Sequence, residues 1–106
     1  MKNAGLIDVV YAEVGHQIPR PEPCLRRRPE GAGLILSFAD RGHTIRRHAL
    51  NRMSREIYEL CDGQRRIEDI RGLMLERHRQ LPSPVISEHV LRAVRVFERK
   101  GIVRCT

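Results

Sequence analysis

The sequence predicts an α+β fold in which a three-stranded antiparallel sheet is followed by a bundle of three helices. Two patterns support this. Between residues 24 and 50, three short candidate strands, of which LILSF (Leu34–Phe38) is the most strand-like, are separated by turn residues. After residue 51, apolar residues recur at helical spacing. A small sheet alone is only marginally stable, so we expect the helices to cover one of its faces.

Three runs predict the strands of an antiparallel meander. They are CLRRR (Cys24–Arg28), LILSF (Leu34–Phe38) and HTIRRHAL (His43–Leu50). The intervening ADRG (Ala39–Gly42) supplies the Asp and Gly that a hairpin turn favours.

The first helix is predicted over Arg52–Cys61, with Asn51 as its N-cap. It is followed by Asp62 and Gly63, so the motif Cys61-Asp62-Gly63 has three interpretations: a reactive site, a metal site or a helix end. The spacing of the apolar residues favours the helix end, with Cys61 closing the buried stripe and Gly63 as the C-terminal cap.

Two more helices are predicted along the second half of the chain. One covers Ile67–Arg79, with acidic residues in its first turn, where the helix dipole favours them. LPSP (Leu81–Pro84) interrupts the chain, and the next helix is expected to start at Ser87 as N-cap and to run to Lys100. Ile102–Cys105 follows as a short extended piece.

The first 20 residues are predicted to be an N-terminal extension and proline linker, and residues 21–106 the domain. Leu6–Val14 is rich in β-branched residues and is expected to be a strand. Pro19–Pro23 carries proline at every second position, which favours an extended linker. One interpretation is that the strand occupies the open edge of the third strand, within one chain or in a swapped homodimer. The alternatives are that it extends the sheet elsewhere or stays flexible.

Composition limits the function classes. The net charge of +7 comes mostly from Arg and favours acidic partners. Three separated cysteines indicate no disulfide framework. No apolar run is long enough for a membrane helix, and the N-terminus lacks the clean hydrophobic stretch of a signal peptide, so we expect a soluble cytoplasmic protein without membrane contact.

No catalytic or cofactor motif is present in the sequence. The five histidines include no i, i+4 pair on one helix face, and His43 and His48 are expected on opposite faces of one strand. GxSxG, Walker and dinucleotide fingerprints are absent. The sequence therefore predicts a protein that is not an enzyme and has no cofactor or metal.

The pattern LN…S.EI.ELCDG.R.IEDI, followed by V…V..F..KGIV, resembles the PqqD-like family over about residues 21–103. This family contains the pyrroloquinoline quinone biosynthesis protein D and related precursor-peptide recognition elements. One departure is Arg66, which stands where the family usually opens the second helix with Thr or Ser. We expect Glu68 and Asp69 to offset the lost cap.

The resemblance implies a winged-helix-turn-helix-like fold and a chaperone role. Such a domain captures the leader of a precursor peptide as an added strand beside the third strand and the third predicted helix. It then presents the peptide to a modifying enzyme, which the resemblance implies is a radical S-adenosylmethionine protein. The basic composition of both elements would suit an acidic leader. The implied peptide-binding residues are Thr44, Ile45, Arg46, Arg47, His48, Leu91, Arg92, Arg95, Val96 and Arg99.

Two other interpretations stay open at this stage. A winged-helix nucleic-acid binder would suit the net charge of +7. Against it, QLPSPVI separates the last two predicted helices by more than the roughly 3–4 residues of a helix-turn-helix, and few aromatics are available for base stacking. The third interpretation is a structural subunit of an enzyme complex. Charged residues on a strand edge also occur simply to prevent aggregation.

Overall fold

The computed structural model describes residues 2–42 and 44–106. In chain order, the helices and strands are α1 (Lys2–Val14), β1 (Pro19–Pro21), β2 (Arg26–Glu30), β3 (Gly33–Ala39), β4 (Ile45–Leu50), α2 (Arg52–Leu60), α3 (Ile67–Arg77), α4 (Ser83–Arg99) and β5 (Val103–Cys105).

The predicted α+β fold is confirmed. Strands β2, β3 and β4 form an antiparallel sheet in that spatial order, with β3 in the centre. In its register, Leu36 lies opposite His48, and Leu34 lies opposite Leu50. The predicted opposite orientation of His43 and His48 cannot be compared, since His43 lies outside the described residues.

The core lies between the inner face of the sheet and the helices. Strand β3 alternates in burial, with Leu34, Leu36 and Phe38 buried, as expected for one face of a sheet. Phe97 of α4 packs edge-on against Tyr58 of α2, with ring centroids 5.9 Å apart. Glycine is required at position 33, because a Cβ atom there would collide with the carbonyl oxygen of Leu50.

Helices α2 and α3 are as predicted within two residues at each end. Asn51 caps α2, since its Oδ1 accepts a hydrogen bond from the backbone N–H of Ser54 at 2.9 Å. At the start of α3, Oδ2 of Asp69 accepts from the backbone N–H of Arg66 at 2.9 Å. This bond pairs the N–H of Arg66 itself, as the N3 carboxylate of a capping box does, and is not the bond that a Thr or Ser cap would make to the helix N–H groups.

The predicted start of α4 at Ser87 is wrong, because the helix begins at Ser83 with Pro82 as N-cap. Pro84 fits in the first turn, where backbone N–H groups have no intrahelical acceptor. Ser87 is instead buried inside the helix, and its Oγ accepts a hydrogen bond from Nε of Arg71 at 2.9 Å. The connection between α3 and α4 is therefore shorter than QLPSPVI suggested.

The predicted strand at Leu6–Val14 is wrong, because this segment belongs to helix α1. Its Tyr11 is buried, and the phenol donates a hydrogen bond to the carbonyl of Ser87 at 2.8 Å. The guanidinium of Arg71 lies 4.1 Å from the Tyr11 ring centroid and pairs with Asp8 at 2.7 Å. Packing on distant residues overrides the strand propensity. The segment therefore packs against Ser87 of the last helix and Arg71 and does not lie along the edge of β4, and the homodimer stays a prediction.

Pro19–Pro23 is also not a free polyproline linker, because Pro19–Pro21 forms β1 and pairs antiparallel with β5. Proline is tolerated there, since the described part of the sheet has only two strands and both are edges. Just before β1, the carbonyls of Gly15 and Gln17 accept hydrogen bonds from the first turn of α3, at 3.0 and 2.9 Å. The N-terminal segment therefore caps α3.

Among the described residues, no helix combines the length and the apolar character needed to cross a membrane.

Candidate functional site

Strand β4 lies at an edge of the three-stranded sheet. At its start, the backbone N–H of Asp40 donates to the carbonyl of Thr44 at 3.0 Å. Because bonded and non-bonded pairs alternate in an antiparallel ladder, the backbone groups of Arg46, His48 and Leu50 face β3. Those of Ile45, Arg47 and Ala49 therefore point away from the sheet. This row can accept a further strand.

A groove of about 280 Å³ separates β4 from α4. Its floor is apolar, because Phe97 and Ile102 are fully buried beneath it and Val96 lies on its wall. The complete lining consists of His48, Ala49, Leu50, Asn51, Ser54, His89, Arg92, Ala93, Val96, Phe97, Lys100 and Ile102. An extended segment beside β4 would therefore place alternate side chains over an apolar surface.

The groove carries positive charge. Arg92 and Lys100 belong to its lining, which contains no carboxylate among the described residues. Arg46 closes one end, where its Nη1 donates to the carbonyl of Lys100 at 3.0 Å and its guanidinium lies 5.9 Å from the Phe38 ring centroid. Glu88 partly offsets this charge, since it pairs with Arg92 at 2.8 Å on the exposed side of α4.

His48 occupies the strand side of the groove. Its ring lies 6.0 Å from that of Phe38, and its Nε2 is buried without a hydrogen-bond partner in the described part of the chain. Burial, followed by the nearby charges of Lys100 and Arg46, lowers the pKa of His48 below its usual value of 6.5. The ring is therefore neutral at pH 7. An unpaired buried polar atom of this kind is rare in folded proteins.

The structure brings together only part of the peptide-binding set that the sequence predicts. His48, Arg92 and Val96 line the groove, and Arg46 lies at its end. Thr44 precedes β4 and is exposed, and Ile45 is also exposed, at 49 %.

The remaining predicted residues point elsewhere. Arg47 lies on the opposite face of the sheet, beside Arg26 and Arg28. On α4, Leu91 packs against the core and Arg95 pairs with Glu98 at 2.9 Å. Arg99 is exposed and lies outside the groove lining. The reason is helical geometry: at about 100° per residue, Arg95 and Arg99 lie on the side of Arg92 away from the groove, whereas Val96 and Lys100 lie on the groove side.

Several groove residues were missed from the sequence. They are Asn51, Ser54, His89, Ala93 and Lys100 on the rim, with Phe97 and Ile102 on the floor. A signal was present, because His89, Ala93, Val96 and Lys100 follow the i, i+4, i+7, i+11 spacing of one helix face. Asn51 and Ser54 were not predicted as groove residues, because both take part in the N-terminal cap of α2.

The motif Cys61-Asp62-Gly63 ends α2, as the favoured interpretation predicted. Cys61 is 3 % exposed, and burial raises the pKa of its thiol to about 12. Asp62 accepts backbone hydrogen bonds from Gln64 and Arg65 at 2.9 and 3.1 Å, which hold the pKa of its carboxyl low. Gly63 has a φ of 79°, which favours glycine. No metal-binding cluster of His, Cys, Asp or Glu occurs among the described residues.

Replacing Cys61 with alanine is expected to lower the free energy of unfolding by about 1–2 kcal/mol, because removal of the buried sulfur leaves a small cavity. The groove should be unaffected. Urea unfolding measures the first effect, and amide chemical shifts of residues 45–50 measure the second. Large shifts in the groove of a folded variant would contradict a purely structural role.

The fold and the groove define a class of protein: a small α+β domain with an open strand edge beside a basic helix. A family model described as Coenzyme PQQ synthesis protein D (PqqD) matches residues 34–103, and the chain belongs to this family. The match includes β3, β4 and the three helices α2 to α4, and therefore the whole groove. The comparisons found no matching curated protein and no matching solved structure.

Proposed function

We propose that this chain binds the leader segment of a ribosomally made precursor peptide as an added strand on β4. It then presents the peptide to a modifying enzyme, of the radical S-adenosylmethionine type, in the synthesis of pyrroloquinoline quinone or a related modified peptide. The observation that carries the proposal is the outward-facing backbone of β4 directly beside the apolar groove. Membership of the PqqD family supports it.

The backbone of β4 would supply the affinity common to all leaders. Ile45, Arg47 and Ala49 each offer an N–H and a C=O in register with an extended chain. A net contribution of about 1 kcal/mol per hydrogen bond makes a short strand worth several kcal/mol before ordering costs.

The groove would supply the sequence preference. Alternate side chains of an added strand meet Val96 and Phe97, so apolar residues are favoured at every second position. Arg92 and Lys100 flank these positions and favour acidic neighbours. Exposed charges of this kind chiefly raise the association rate, so binding should weaken as salt is increased.

The same observations support a role without catalysis. In the groove, His48 is neutral at pH 7 and has no carboxylate partner among the lining residues that could orient it as a base. The one buried cysteine of the described chain is held as a thiol. In the proposed complex, the chemistry belongs to the partner enzyme.

Arg47→Pro tests the added strand directly. The substitution removes an N–H that points away from β3, so the sheet keeps its own ladder, and proline is tolerated at edge strands. The probe is a fluorescent peptide selected by the unmodified chain from a displayed library of random 20-residue peptides. We expect binding to weaken about tenfold or more, because the peptide loses one bond and one carbonyl is left unpaired.

Arg47→Ala is the matched control, since it removes the same charge and keeps the N–H. We expect it to change affinity only a few fold, because the side chain lies on the opposite face of the sheet. Equal affinities of the two variants would contradict strand addition. A second experiment uses peptides that are N-methylated at alternate residues. The methyl groups block backbone hydrogen bonds to β4 without altering the protein.

One observation favours nucleic-acid binding as a second function. Arg26, Arg28 and Arg47 surround a small pocket of about 90 Å³ on the open face of the sheet. On α4, by contrast, Arg92 and Arg95 are each paired with a glutamate, which disfavours a recognition helix. Binding to random duplex DNA that falls steeply between 50 and 200 mM salt would support this function.

A further inference from the structure

We propose that the hollow between α1 and the start of α4 is a second subsite of the same groove, which receives an apolar side chain of the bound peptide. This inference rests on the proposed function and extends it. It assigns α1, which lies outside the residues matched by the family, a role in peptide selection.

The hollow is large and partly apolar. It measures about 490 Å³, within the usual range for sites that bind small ligands, about 300–1,000 Å³. Its apolar wall includes Leu6, which is 66 % exposed, and Val85, which is 42 % exposed. The polar rim consists of Glu88, His89 and Arg92. Exposed apolar residues gathered around a hollow mark a surface suited to burial by a ligand.

The hollow adjoins the groove along α4. His89 and Arg92 line both, since they lie one turn apart on the face of α4 between the two. The groove reaches Asn51 at the end of β4 and His89 on α4. An added strand that extends past the end of β4 therefore meets the hollow next. This continuity identifies the occupant as the same peptide.

Helix α1 is held firmly enough to form a wall. Tyr11 anchors it through its hydrogen bond to the carbonyl of Ser87 at 2.8 Å. Arg71 adds a second anchor, because it lies over the Tyr11 ring and pairs with Asp8 at 2.7 Å. Leu6 is thereby held across from Val85, where it can contact a side chain entering between the two helices.

The chemistry of the hollow defines the residues it would select. An apolar side chain fits against Leu6 and Val85, whereas Arg92 on the rim is already paired with Glu88 at 2.8 Å. The preferred leader would therefore carry a large aliphatic or aromatic residue just beyond the segment that pairs with β4.

The test compares Leu6→Ser with Val9→Ser in the full chain. Both residues are exposed on α1, at 66 % and 56 %, but only Leu6 lines the hollow. The probe is the fluorescent peptide selected from the random 20-residue library. We expect Leu6→Ser to weaken its binding about tenfold and Val9→Ser to leave it within twofold. In a peptide whose apolar residue for the hollow is replaced with Ser, Leu6→Ser and Val9→Ser should have the same effect on affinity.

Each outcome decides the inference. Weakening by Arg47→Pro together with no effect of Leu6→Ser would overturn the subsite and leave the proposed function intact. No effect of Arg47→Pro would remove the proposed function, and the subsite with it. Equal weakening by Leu6→Ser and Val9→Ser would show a general effect of α1, and would also overturn the subsite.

Discussion

Replacing Phe97 with alanine is expected to lower the free energy of unfolding by about 3–5 kcal/mol. The ring is 1 % exposed and packs edge-on against Tyr58 at 5.9 Å, so its removal leaves a cavity between α2 and α4. The loss is a large share of the roughly 5–15 kcal/mol that stabilises a domain. Because Phe97 also forms the floor of the groove, peptide binding should weaken in the fraction that stays folded.

Urea unfolding of Phe97→Ala and Phe97→Leu measures this effect. Leucine keeps most of the apolar contact and should cost less than half as much as alanine, since the cavity is smaller. A loss below about 1 kcal/mol for alanine would show that α4 does not depend on this contact. A severely destabilised alanine variant still leaves the leucine variant available for the binding measurement.

Local signals in the sequence were sufficient for the central part of the fold. The hairpin of β3 and β4 follows from the apolar run of β3 and from the turn after it, which contains Asp40 and Gly42. Helix α2 follows from Asn51 and an apolar stripe ending at Cys61. In each case the residues that determine the structure lie within one turn or one strand of each other, where a sequence pattern can show them.

The N-terminal segment could not be predicted in this way. The abundance of β-branched residues in Leu6–Val14 is typical of a strand, and no neighbouring residue indicates a helix instead. The contacts that stabilise α1 involve Ser87 and Arg71, which are far away in sequence. The carbonyls of Gly15 and Gln17 that cap α3 depend on the same docking. These contacts form only in the folded chain, so no local sequence pattern indicates them.

The candidate site was predicted in outline. A meander of three strands leaves its last strand at an edge, and the family resemblance placed α4 beside it. The residues that line the groove could not be predicted without knowing how α4 is rotated about its axis. That orientation turns His89 and Lys100 toward the groove and Arg95 and Arg99 away from it. The hollow beside Leu6 could not be predicted, since it requires α1 to be a helix.

Replacing Tyr11 with alanine is expected to destabilise the whole domain by about 3 kcal/mol or more, and not merely to release α1. The ring is 4 % exposed, and Arg71 lies 4.1 Å from its centroid. Burial raises the pKa of the phenol far above its usual value of 10, so the hydroxyl stays protonated and keeps donating to the carbonyl of Ser87. Without Tyr11, Ser87 becomes exposed to solvent, and the first turn of α3 loses the carbonyls that accept its hydrogen bonds.

Tyr11→Phe is the matched control, because it keeps the ring and the contact with Arg71 but removes one hydrogen bond. We expect it to cost about 1 kcal/mol. Native-state hydrogen exchange distinguishes global from local effects: in Tyr11→Ala, amides of α3 and α4 should lose protection together with those of α1. Loss confined to residues 2–20, with unchanged urea unfolding of the remainder, would instead support a domain that begins at residue 21. The cap provided by Gly15 and Gln17 to α3 makes the joint loss the expected result, because α3 then has unpaired N–H groups at its first turn.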